Sequence, residues 1–442
     1  MSIKIGMVSL GCPKNQVDAE LMLNKLSKDN NYEIVNDENK ADVIIVNTCG
    51  FIEDAKKESI ETILEFVQLK EQGKIKAVIA TGCLAERYRD EMMKEIPELD
   101  GVVGIGCNGQ IVEIVNKAVN IGHIACYGKK TDLPMEGGRM LTTLAHTAYL
   151  KIADGCDNCC TYCAIPMIRG PFRSRKIEDI VSEAKDLVSK GVKEIVLIAQ
   201  DTTRYGLDIY NRLALPDLLT ELCKINGIKC IRLLYCYPDF ITDKLLDVIA
   251  SNDKICRYMD IPLQHCNRDV LKAMNRRGDK QWLSNLIKKI RDKIPGITLR
   301  TTLITGFPGE TDEQFNELCD FVNEMKFEHL GCFAYSAEEN TIAAEMDNQI
   351  DEKIKQRRQE IIMEQQRDIA LEHIKEYIGK TITVVAEYYD EDSFCWIGRS
   401  ERDAPEIDGR VIFGSASPIN TGDFVDVRII DCIEYDLIGQ HD

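Results

Sequence analysis

The feature that most constrains this chain is a group of four cysteines within eight positions. These are Cys156, Cys159, Cys160 and Cys163. A short apolar strand, predicted over Ala148–Ile152, leads into them, and Pro166 and Gly170 predict an irregular segment after them. Thiols at this density indicate a metal site, because soft sulfur ligands bind iron–sulfur clusters, zinc or copper(I).

The spacing of these cysteines narrows the kind of site. Cys156, Cys160 and Cys163 form a C-x3-C-x2-C pattern, which supplies three ligands from one loop. Iron–sulfur cubanes normally take four cysteines, so three would leave one iron open, and an open position is typical of catalytic metal sites. Cys159 leaves the register ambiguous, because Cys156, Cys159 and Cys163 would also lie close together. A structural zinc site is the alternative.

Length and composition set the frame for this site. A chain of 442 residues predicts two to four domains. We find no secretory signal and no apolar run long enough to span a bilayer, and we therefore expect a cytoplasmic protein without a membrane partner. Eighteen cysteines then argue for metal ligands and buried free thiols and against a disulfide framework. Cys107 and Cys126 are taken as structural, and Cys230 and Cys256 as small core residues.

Three further cysteines recur at equivalent places in the N-terminal third. Strands predicted over Lys4–Leu10, Asp42–Thr48 and Lys76–Thr81 are each followed by a cysteine next to a glycine. These cysteines are Cys12, Cys49 and Cys83. Helical patterns between the strands predict a parallel sheet, whose strand ends share one edge. The three thiols should therefore converge and could hold a second cluster with one open iron. Three unrelated buried cysteines are the alternative.

Strands and helices alternate again from Ala148 onward, which predicts a full or partial parallel barrel with its chemistry at the C-terminal ends of the strands. Polar residues near predicted strand ends are candidates for the site. They are Gln200, Asp201, Asp260, Gln264, His265 and Arg300, with the segment that runs from Arg300 to Glu310. Taken singly, each has a structural explanation: a helix cap, a glycine turn or a buried histidine.

The C-terminal part differs in pattern and in charge. A long charged helix over Asp351–Tyr377 should connect domains, and short alternating strands from Thr381 predict a small β-barrel. From Lys380 to Asp442 there are fourteen acidic and five basic residues, a net charge of −9 within a chain total of −18. Such a surface repels phosphate backbones and favours a basic partner, such as a ribosomal protein, or serves solubility alone.

Several motifs together resemble the radical S-adenosylmethionine (SAM) enzymes, and among them the methylthiotransferases. The cysteine loop has the class spacing with an aromatic, Tyr162, before its last cysteine. The other motifs are Leu10-Gly11-Cys12-Pro13-Lys14-Asn15, Asn47-Thr48-Cys49-Gly50-Phe51-Ile52, Thr81-Gly82-Cys83, Ile261-Pro262-Leu263-Gln264-His265 and Gly306-Phe307-Pro308-Gly309-Glu310-Thr311. They cover nearly the whole chain.

The resemblance implies an α/β protein of three parts. These are a parallel-sheet (flavodoxin-like) domain over 1–125, a partial (β/α) radical SAM barrel over 142–375, and a TRAM β-barrel over 378–442. It implies two 4Fe–4S clusters and SAM as cofactors, with no catalytic residue beyond the cluster ligands. The implied ligands are Cys156, Cys160 and Cys163 for one cluster and Cys12, Cys49 and Cys83 for the other. Tyr162, Gln200, Asp201, Gln264 and Arg300 are the expected SAM contacts.

The resemblance also separates two branches of the family. Members that act on transfer RNA typically read Gln-Met-Asn after the first cysteine, whereas this chain reads Pro13-Lys14-Asn15. That motif and the segment from Asp403 to Gly409 look like the branch whose target is an aspartate of small-subunit ribosomal protein S-twelve. The implied reaction is radical sulfur insertion at the aspartate β-carbon followed by methylation from a second SAM. A monomer that takes its electron from flavodoxin or ferredoxin is expected.

Two alternatives remain open at this point. A methylthiotransferase for the adenosine beside the anticodon would need a basic stripe, for instance around Arg169, Arg173 and Arg175, and salt-dependent RNA binding. A non-enzymatic iron–sulfur sensor would need four protein ligands for each cluster, and two triads of cysteines speak against it. Cys159 departs from the family pattern and leaves open a ligand swap or sensitivity to oxidation.

Overall fold

Six parallel strands form the sheet of the N-terminal part, in the order β2-β1-β3-β4-β5-β6. The structure is a computed structural model that describes residues 2–442. The elements of this part are β1 (Ile3–Ser9), α1 (Pro13–Ser27), β2 (Tyr32–Ile34), β3 (Val43–Thr48), α2 (Glu53–Glu71), β4 (Ala77–Gly82), α3 (Cys83–Glu95), β5 (Gly101–Val103), α4 (Ile111–Asn120) and β6 (Ile124–Cys126).

The sequence explains this arrangement. Strands β3 and β4 are buried along their whole length, and both are near-continuous apolar runs, as strands covered on both faces usually are. One apolar cluster includes Ile63 and Phe66 of α2, and a second includes Met22 of α1 and Ile114 of α4. The predicted parallel sheet is therefore confirmed, with helices covering it.

The middle of the chain alternates strands and helices, as predicted. Its elements are β7 (Thr147–Lys151), β8 (Ala153–Asp154), α5 (Ile165–Arg169), β9 (Arg173–Ser174), α6 (Ile177–Ser189), β10 (Glu194–Ile198), α7 (Leu207–Tyr210), α8 (Leu215–Cys223), β11 (Cys230–Leu233), α9 (Asp243–Ala250), β12 (Tyr258–Gln264), α10 (Arg268–Ala273), α11 (Lys280–Lys293), β13 (Thr298–Thr305), α12 (Asp312–Met325), β14 (His329–Ala334) and α13 (Glu352–Lys375). Two sheets, β11-β10-β7 and β12-β13-β14, make up the partial barrel.

A closed five-stranded barrel ends the chain, with strand order β15-β16-β17-β19-β18. Its strands are β15 (Thr381–Asp390), β16 (Cys395–Ser400), β17 (Val411–Ser415), β18 (Phe424–Ile433) and β19 (Asp436–His441). The long helix α13 is more than the expected connector. It buries Ile362 and Ile369, and its Gln366 amide donates to the Phe327 carbonyl at 2.8 Å.

The chain divides into two units, each of which draws on distant parts of the sequence. The first runs to Thr142 and also includes Lys151–Arg175 and Ser336–Ala344. The second comprises Thr143–Leu150, Lys176–Tyr335 and Glu345–Asp442. Both cysteine groups therefore belong to the first unit.

Three details differ from expectation. Cys107 is paired with Cys126, and Cys230 with Cys256, so four of the cysteines form disulfides. The expectation that Cys230 and Cys256 are free core thiols was wrong, whereas Cys107 and Cys126, taken as structural, are joined to each other. The fold brings each pair together from positions that are distant in the sequence. Pro166 does not keep its segment irregular but lies in the first turn of α5, where its missing N–H costs nothing. No helix within residues 2–442 is long and apolar enough to cross a membrane.

Candidate functional site: two groups of thiols in one unit

The three N-terminal thiols lie at the carboxyl ends of neighbouring strands. Cys12 caps the N-terminus of α1 after β1, Cys49 follows β3, and Cys83 opens α3 directly after β4. Strands β1, β3 and β4 are adjacent in the sheet, so their ends meet at one edge. The structure therefore brings these three cysteines together, as the repeat of strand and glycine predicted.

Glycines allow this close approach. Gly11 has φ +90°, and a Cβ placed on it would lie 2.7 Å from the Cys49 Cβ and 2.9 Å from the Cys49 Sγ. Gly82 has φ +92°, and a Cβ there would lie 2.5 Å from the Thr48 carbonyl oxygen. Any larger residue at either position would push the cysteine-bearing loops apart.

The surroundings of these three thiols shift their pKa values in different directions. Burial raises the pKa of Cys49, and the neighbouring Cys83 and Cys12 raise it further, to about 12. Burial also raises the pKa of Cys83 against the opposing charge of Arg169. For Cys12, Lys14 and Arg169 outweigh burial, so its pKa is lowered. The mutual influence of the thiols follows from their proximity.

The second group of thiols sits on the loop between β8 and α5. Cys163 donates its backbone N–H to the Cys160 carbonyl at 3.0 Å, and the Cys156 N–H donates to the Gly170 carbonyl at 3.1 Å. Gly155, at φ +81°, permits the turn, since a Cβ there would lie 2.1 Å from the Pro171 carbonyl oxygen. The loop is thus closed on itself by backbone contacts.

Exposure distinguishes the extra cysteine of this loop. Cys156, Cys160 and Cys163 are half-buried, whereas Cys159 is exposed and has φ +52°. This favours the register with Cys160. The assignment of ligands stays a prediction.

A buried charge network connects the two groups of thiols. The Arg169 guanidinium, 1% exposed, donates to Asp18 at 2.8 Å and to Asp154 at 2.9 Å. Its other nitrogen donates to Asn15 Oδ1 at 2.5 Å and lies 3.5 Å from the Cys83 Sγ. Lys151, also buried, pairs with both Asp18 and Asp154. Arg169 and Lys151 hold the pKa of Asp154 well below its usual range, despite burial, which raises it.

Asn15 links this network to the strand ends. Its side-chain amide donates to the Leu10 carbonyl at 3.0 Å and to the Thr48 carbonyl at 2.9 Å, while its oxygen accepts from Arg169 and from the Cys83 thiol at 3.3 Å. One asparagine therefore joins the chain just before Cys12 and just before Cys49 to Arg169, which follows the second cysteine loop. Apolar contact among Cys83, Ala164 and Ile168 closes the same region.

The segment Ser336–Ala344 supports both loops from the side. The Ala343 N–H donates to the Thr161 carbonyl at 2.9 Å. Glu338, 2% exposed, accepts from Arg87 at 2.8 Å and pairs with Lys56 at 3.1 Å. Sequence reasoning missed Glu338 and Lys151, and it considered Arg169 only as part of a surface stripe for RNA. The only available signal was a lysine inside the apolar strand before the cysteine loop.

The expected SAM contacts lie in different places. Tyr162 is half-buried within the cysteine loop of the first unit. In the second unit, Gln200 and Asp201 follow β10, and Gln264 ends β12 with φ +72°. Asp201 accepts from the Thr203 hydroxyl at 2.7 Å and from the Arg204 N–H at 3.2 Å, as a turn residue does.

Arg300 is not at a strand end. It is the third residue of β13, which spans Thr298–Thr305. Asp260 is likewise the third residue of β12, which continues past its predicted end at Ile261 to Gln264. Its guanidinium lies 3.4 Å from Asp260 and 3.3 Å from Asp408. The strand-end argument for Arg300 was therefore wrong. Its role as a SAM contact is untested.

The other candidates of this region have structural partners. Glu310 accepts from the Gly306 N–H at 2.8 Å and from Arg358 at 2.9 Å, which fixes the glycine turn. Burial raises the pKa of Glu310 to about 7. His265 is fully buried and accepts from the Asn267 N–H at 2.9 Å. These residues shape the second unit.

Comparison with known proteins defines the class. The profile of the Radical SAM superfamily matches residues 150–322, that of the uncharacterized protein family UPF0004 matches 4–104, and that of the TRAM domain matches 378–441. Among solved structures, the radical SAM methyltransferase TsrM from Kitasatospora setae superimposes with a TM-score of 0.56 at 14% identity, over 75% of this chain and 73% of that one. The cobalamin-dependent radical SAM enzyme OxsB gives a TM-score of 0.54 at 13% identity, over 82% of this chain and 56% of that one. These likenesses concern the fold. Together with the cysteine loop, the superfamily match identifies a radical SAM enzyme.

Curated relatives specify the family. The chain is 53% identical over 446 residues to the ribosomal protein uS12 methylthiotransferase RimO of Desulforamulus reducens, covering 99% of both chains. It is 50% identical to the protein of the same name from a Thermoanaerobacter species, over 99% of both, and 49% identical to that of Clostridium tetani, over 99% of this chain and 98% of the other. The chain belongs to the uS12 methylthiotransferase (RimO) family. As predicted, it is a methylthiotransferase whose cofactors are two 4Fe–4S clusters and SAM.

The residues present fit these cofactors chemically. Each site offers three thiols, and a cubane with three cysteine ligands keeps one iron open. The described residues 2–442 contain no group of three or more His, Cys, Asp or Glu side chains already placed to hold a single metal ion. The fit therefore rests on the donor chemistry, on the convergence of Cys12, Cys49 and Cys83, and on the buried cation Arg169 beside thiols that would carry negative charge.

Proposed function

We propose that this chain is the methylthiotransferase of ribosomal protein uS12. It inserts sulfur at the β-carbon of an aspartate and then methylates that sulfur. The observation that carries this proposal is the presence of both thiol triads in one unit. Within it the buried Arg169, which ends the helix after the second cysteine loop, contacts Asp154 before that loop and Cys83 of the first triad. A chemistry that uses one cluster to start a radical and another to deliver sulfur needs both near one substrate. The names of the full-length relatives support the target.

The proposal assigns the ligands as follows. Cys156, Cys160 and Cys163 would hold the cluster that binds SAM, and Cys12, Cys49 and Cys83 would hold the other. When bound, the cofactors supply SAM cleavage, hydrogen abstraction from an unreactive C–H, sulfur and the methyl group, which are steps that no side chain could supply.

The side chains around the thiols would position the cysteine loops and shield them from water. Arg169 offsets negative charge beside Cys83 and ties α5 to α1 through Asp18. Asn15 fixes the backbone just before Cys12 and just before Cys49. The apolar contact of Ala164 and Ile168 with Cys83 excludes water from one side of the thiols, which protects a radical from quenching.

The terminal barrel supports a protein target over an RNA target. Eight of its acidic residues are exposed against three of its basic ones. These exposed acidic residues are Glu391, Asp392, Glu401, Glu406, Asp426, Asp431, Glu434 and Asp442. Such a surface repels phosphate backbones and attracts a basic protein. The basic stripe considered for transfer RNA was wrong for Arg169 and Arg175, which are 1% and 3% exposed.

The proposal also names the SAM contacts, the electron donor and the oligomeric state. Tyr162, Gln200, Asp201, Gln264 and Arg300 would contact SAM. Flavodoxin or ferredoxin would supply the electron, and the enzyme would act as a cytoplasmic monomer on uS12, either free or within the small subunit.

A competition between substrates tests the function. The full chain is reconstituted anaerobically with iron and sulfide, reduced, and given SAM with equal amounts of purified uS12 and unmodified transfer RNA. We expect methylthio groups on the protein alone, detected by mass spectrometry of both fractions. Modification of the RNA with unmodified uS12 would contradict the proposal, and absence of deoxyadenosine would contradict radical chemistry itself.

A further inference from the structure

A cavity of about 470 Å³ lies within the second unit, between the terminal barrel and the strands of the radical SAM core. Its wall includes Arg232 and Thr298 from the core strands, Tyr377 after α13, and Thr383 and Arg402 from the barrel. This volume is in the range of sites for small ligands. None of the predicted cluster ligands or SAM contacts lines it.

The unusual member of this wall is Arg402. Its residue is 4% exposed, yet its Nε has no hydrogen-bond partner. Within residues 2–442, no carboxylate lies within ion-pair distance of its guanidinium. Its packing partner is the Tyr377 ring, whose centroid lies 4.7 Å from the Arg402 Cζ. A buried charge without a counter-ion is costly, so the Arg402 guanidinium would be stabilised by an anion in the cavity.

The two other buried arginines of the cavity wall are satisfied. Arg399 donates to Glu194 at 2.6 Å and to Glu387 at 2.7 Å, and Arg232 donates to Glu194 at 3.1 Å. Two carboxylates therefore balance these two guanidinium groups. Arg402 differs from these two arginines, because they are paired with carboxylates and it is not.

The rest of the wall adds positive charge. Lys229, Lys254 and Arg257 line the cavity with Arg402, while Asp253 and Glu401 are the acidic residues that remain. The Lys254 ammonium donates to two backbone carbonyls, at 2.9 and 2.8 Å, which orient it without neutralising it. Four cations against two carboxylates leave two positive charges, in a barrel whose outer surface is acidic.

We propose that this cavity is a binding site for a phosphate group, with Arg402 as its central ligand. A guanidinium offers paired N–H donors that match phosphate oxygens, and a dianion balances the excess of two charges. The hydroxyl groups of Thr298 and Thr381 lie in the same wall as further donors. The site lies apart from the methylthiotransferase machinery and does not depend on the proposed target.

Binding of inorganic phosphate and of pyrophosphate tests the proposal. Thermal unfolding and calorimetry of the full chain are followed as either anion is added, with potassium chloride at equal ionic strength as the reference. We expect phosphate to raise the unfolding midpoint above the chloride reference. In Arg402→Met the affinity should fall by about tenfold or more, since a charge-assisted bidentate contact is lost. Arg428→Gln, at an exposed barrel position, is the matched control and should bind as wild type.

Unfolding in the absence of phosphate shows whether Arg402→Met affects the fold as well as binding. In phosphate-free buffer Arg402→Met should unfold at the same midpoint as wild type or higher, because an unpaired buried charge is removed. The exposed pair Lys229→Gln with Arg257→Gln should weaken phosphate binding without altering the fold. Equal response to phosphate and chloride, or undiminished binding in Arg402→Met, would overturn the proposal. AMP and a short single-stranded RNA, as competitors, identify whether the phosphate comes from a small molecule or from a polymer.

Discussion

Replacement of Arg169 by methionine is the perturbation that most sharply separates stability from cofactor chemistry. The side chain is 1% exposed and makes two short contacts with carboxylates, at 2.8 and 2.9 Å. After its removal Asp18 and Asp154 still pair with Lys151, but each loses its contact with the Arg169 guanidinium. Breaking a buried ion pair by removing one partner costs about 3–5 kcal/mol, because a charge is left uncompensated. This is a large part of the about 5–15 kcal/mol that stabilises a typical domain.

The chain offers a matched control in Arg139. It is also buried, at 5% exposure. It pairs with Glu20, which lies on α1 as Asp18 does, at 2.9 Å between the Arg139 Nε and the Glu20 Oε2. Arg139→Met should therefore cost a similar free energy of unfolding, about 3–5 kcal/mol. Arg139 pairs with Glu20, whereas Arg169 contacts Cys83, so we expect only the Arg169 substitution to disturb the thiols.

The assay compares the two variants under anaerobic conditions. Urea unfolding followed by circular dichroism gives the free energy of unfolding, and bound iron, acid-labile sulfide and electron paramagnetic resonance report the clusters. We expect both variants to lose stability, but only Arg169→Met to lose or perturb the cluster signal of the N-terminal thiols. A loss below about 1 kcal/mol for Arg169→Met, the value of a surface pair, would refute the reasoning, as would equal loss of clusters in Arg139→Met.

Three other predictions follow from the structure. Gly155→Ala should prevent cluster incorporation, because its Cβ would lie 2.1 Å from a carbonyl oxygen. Gly309→Ala is the control, since Gly309 has φ +82° and open space around it, and it should cost about 1–2 kcal/mol of stability and keep the iron content. Equal iron content in the two variants would contradict this prediction. Although burial raises the pKa of Glu194, Arg399 and a second arginine outweigh it and lower the pKa to about 2. Its contribution to stability is present above about pH 4.5 and is lost as pH falls toward 2, so the acid-unfolding curve of Glu194→Gln should be flatter than that of wild type, and parallel curves would refute the linkage. Burial, assisted by a nearby arginine, lowers the pKa of His265 to about 3. Its contribution to the free energy of unfolding is therefore complete above about pH 6.5 and declines as the pH falls from 6.5 toward 3. The urea midpoint of His265→Asn should depend less on pH in this range than that of wild type, and an unchanged slope would contradict this prediction.

Much of the fold could be predicted because it follows from local patterns. The apolar runs of β3 and β4, each ending in a glycine and a cysteine, predicted both the parallel sheet and the edge where Cys49 and Cys83 meet. The charge count of the terminal segment likewise predicted its acidic surface. These features depend on residues within one strand or one loop.

Other features depend on partners that lie far away along the chain. Arg169 contacts Asp18 and Asn15, more than a hundred positions earlier, and the sequence around it did not distinguish a buried cation from a basic surface residue. The disulfide between Cys230 and Cys256 joins positions 26 apart and could not be foreseen from composition. Strand β12 was predicted to end at Ile261, and its continuation to Gln264 depends on pairing with β13, which local periodicity does not reveal.

The cysteine register remains the most specific part of the site that sequence alone left open. Structure adds that Cys159 is exposed in a left-handed turn, whereas Cys160 is half-buried and accepts a hydrogen bond from Cys163. Both cysteines are therefore the natural targets of a paired substitution.

The central claim is that two three-cysteine clusters in one unit transfer a methylthio group to an aspartate of uS12. The most direct measurement is mass spectrometry of a peptide containing that aspartate after anaerobic reaction with SAM and a reductant. Wild type and Cys159→Ala should add one methylthio group to the aspartate. Cys160→Ala should neither cleave SAM nor modify the peptide, and Cys83→Ala should cleave SAM but add no sulfur. Methylthio transfer that survives in Cys160→Ala, or in Cys83→Ala, would contradict the account.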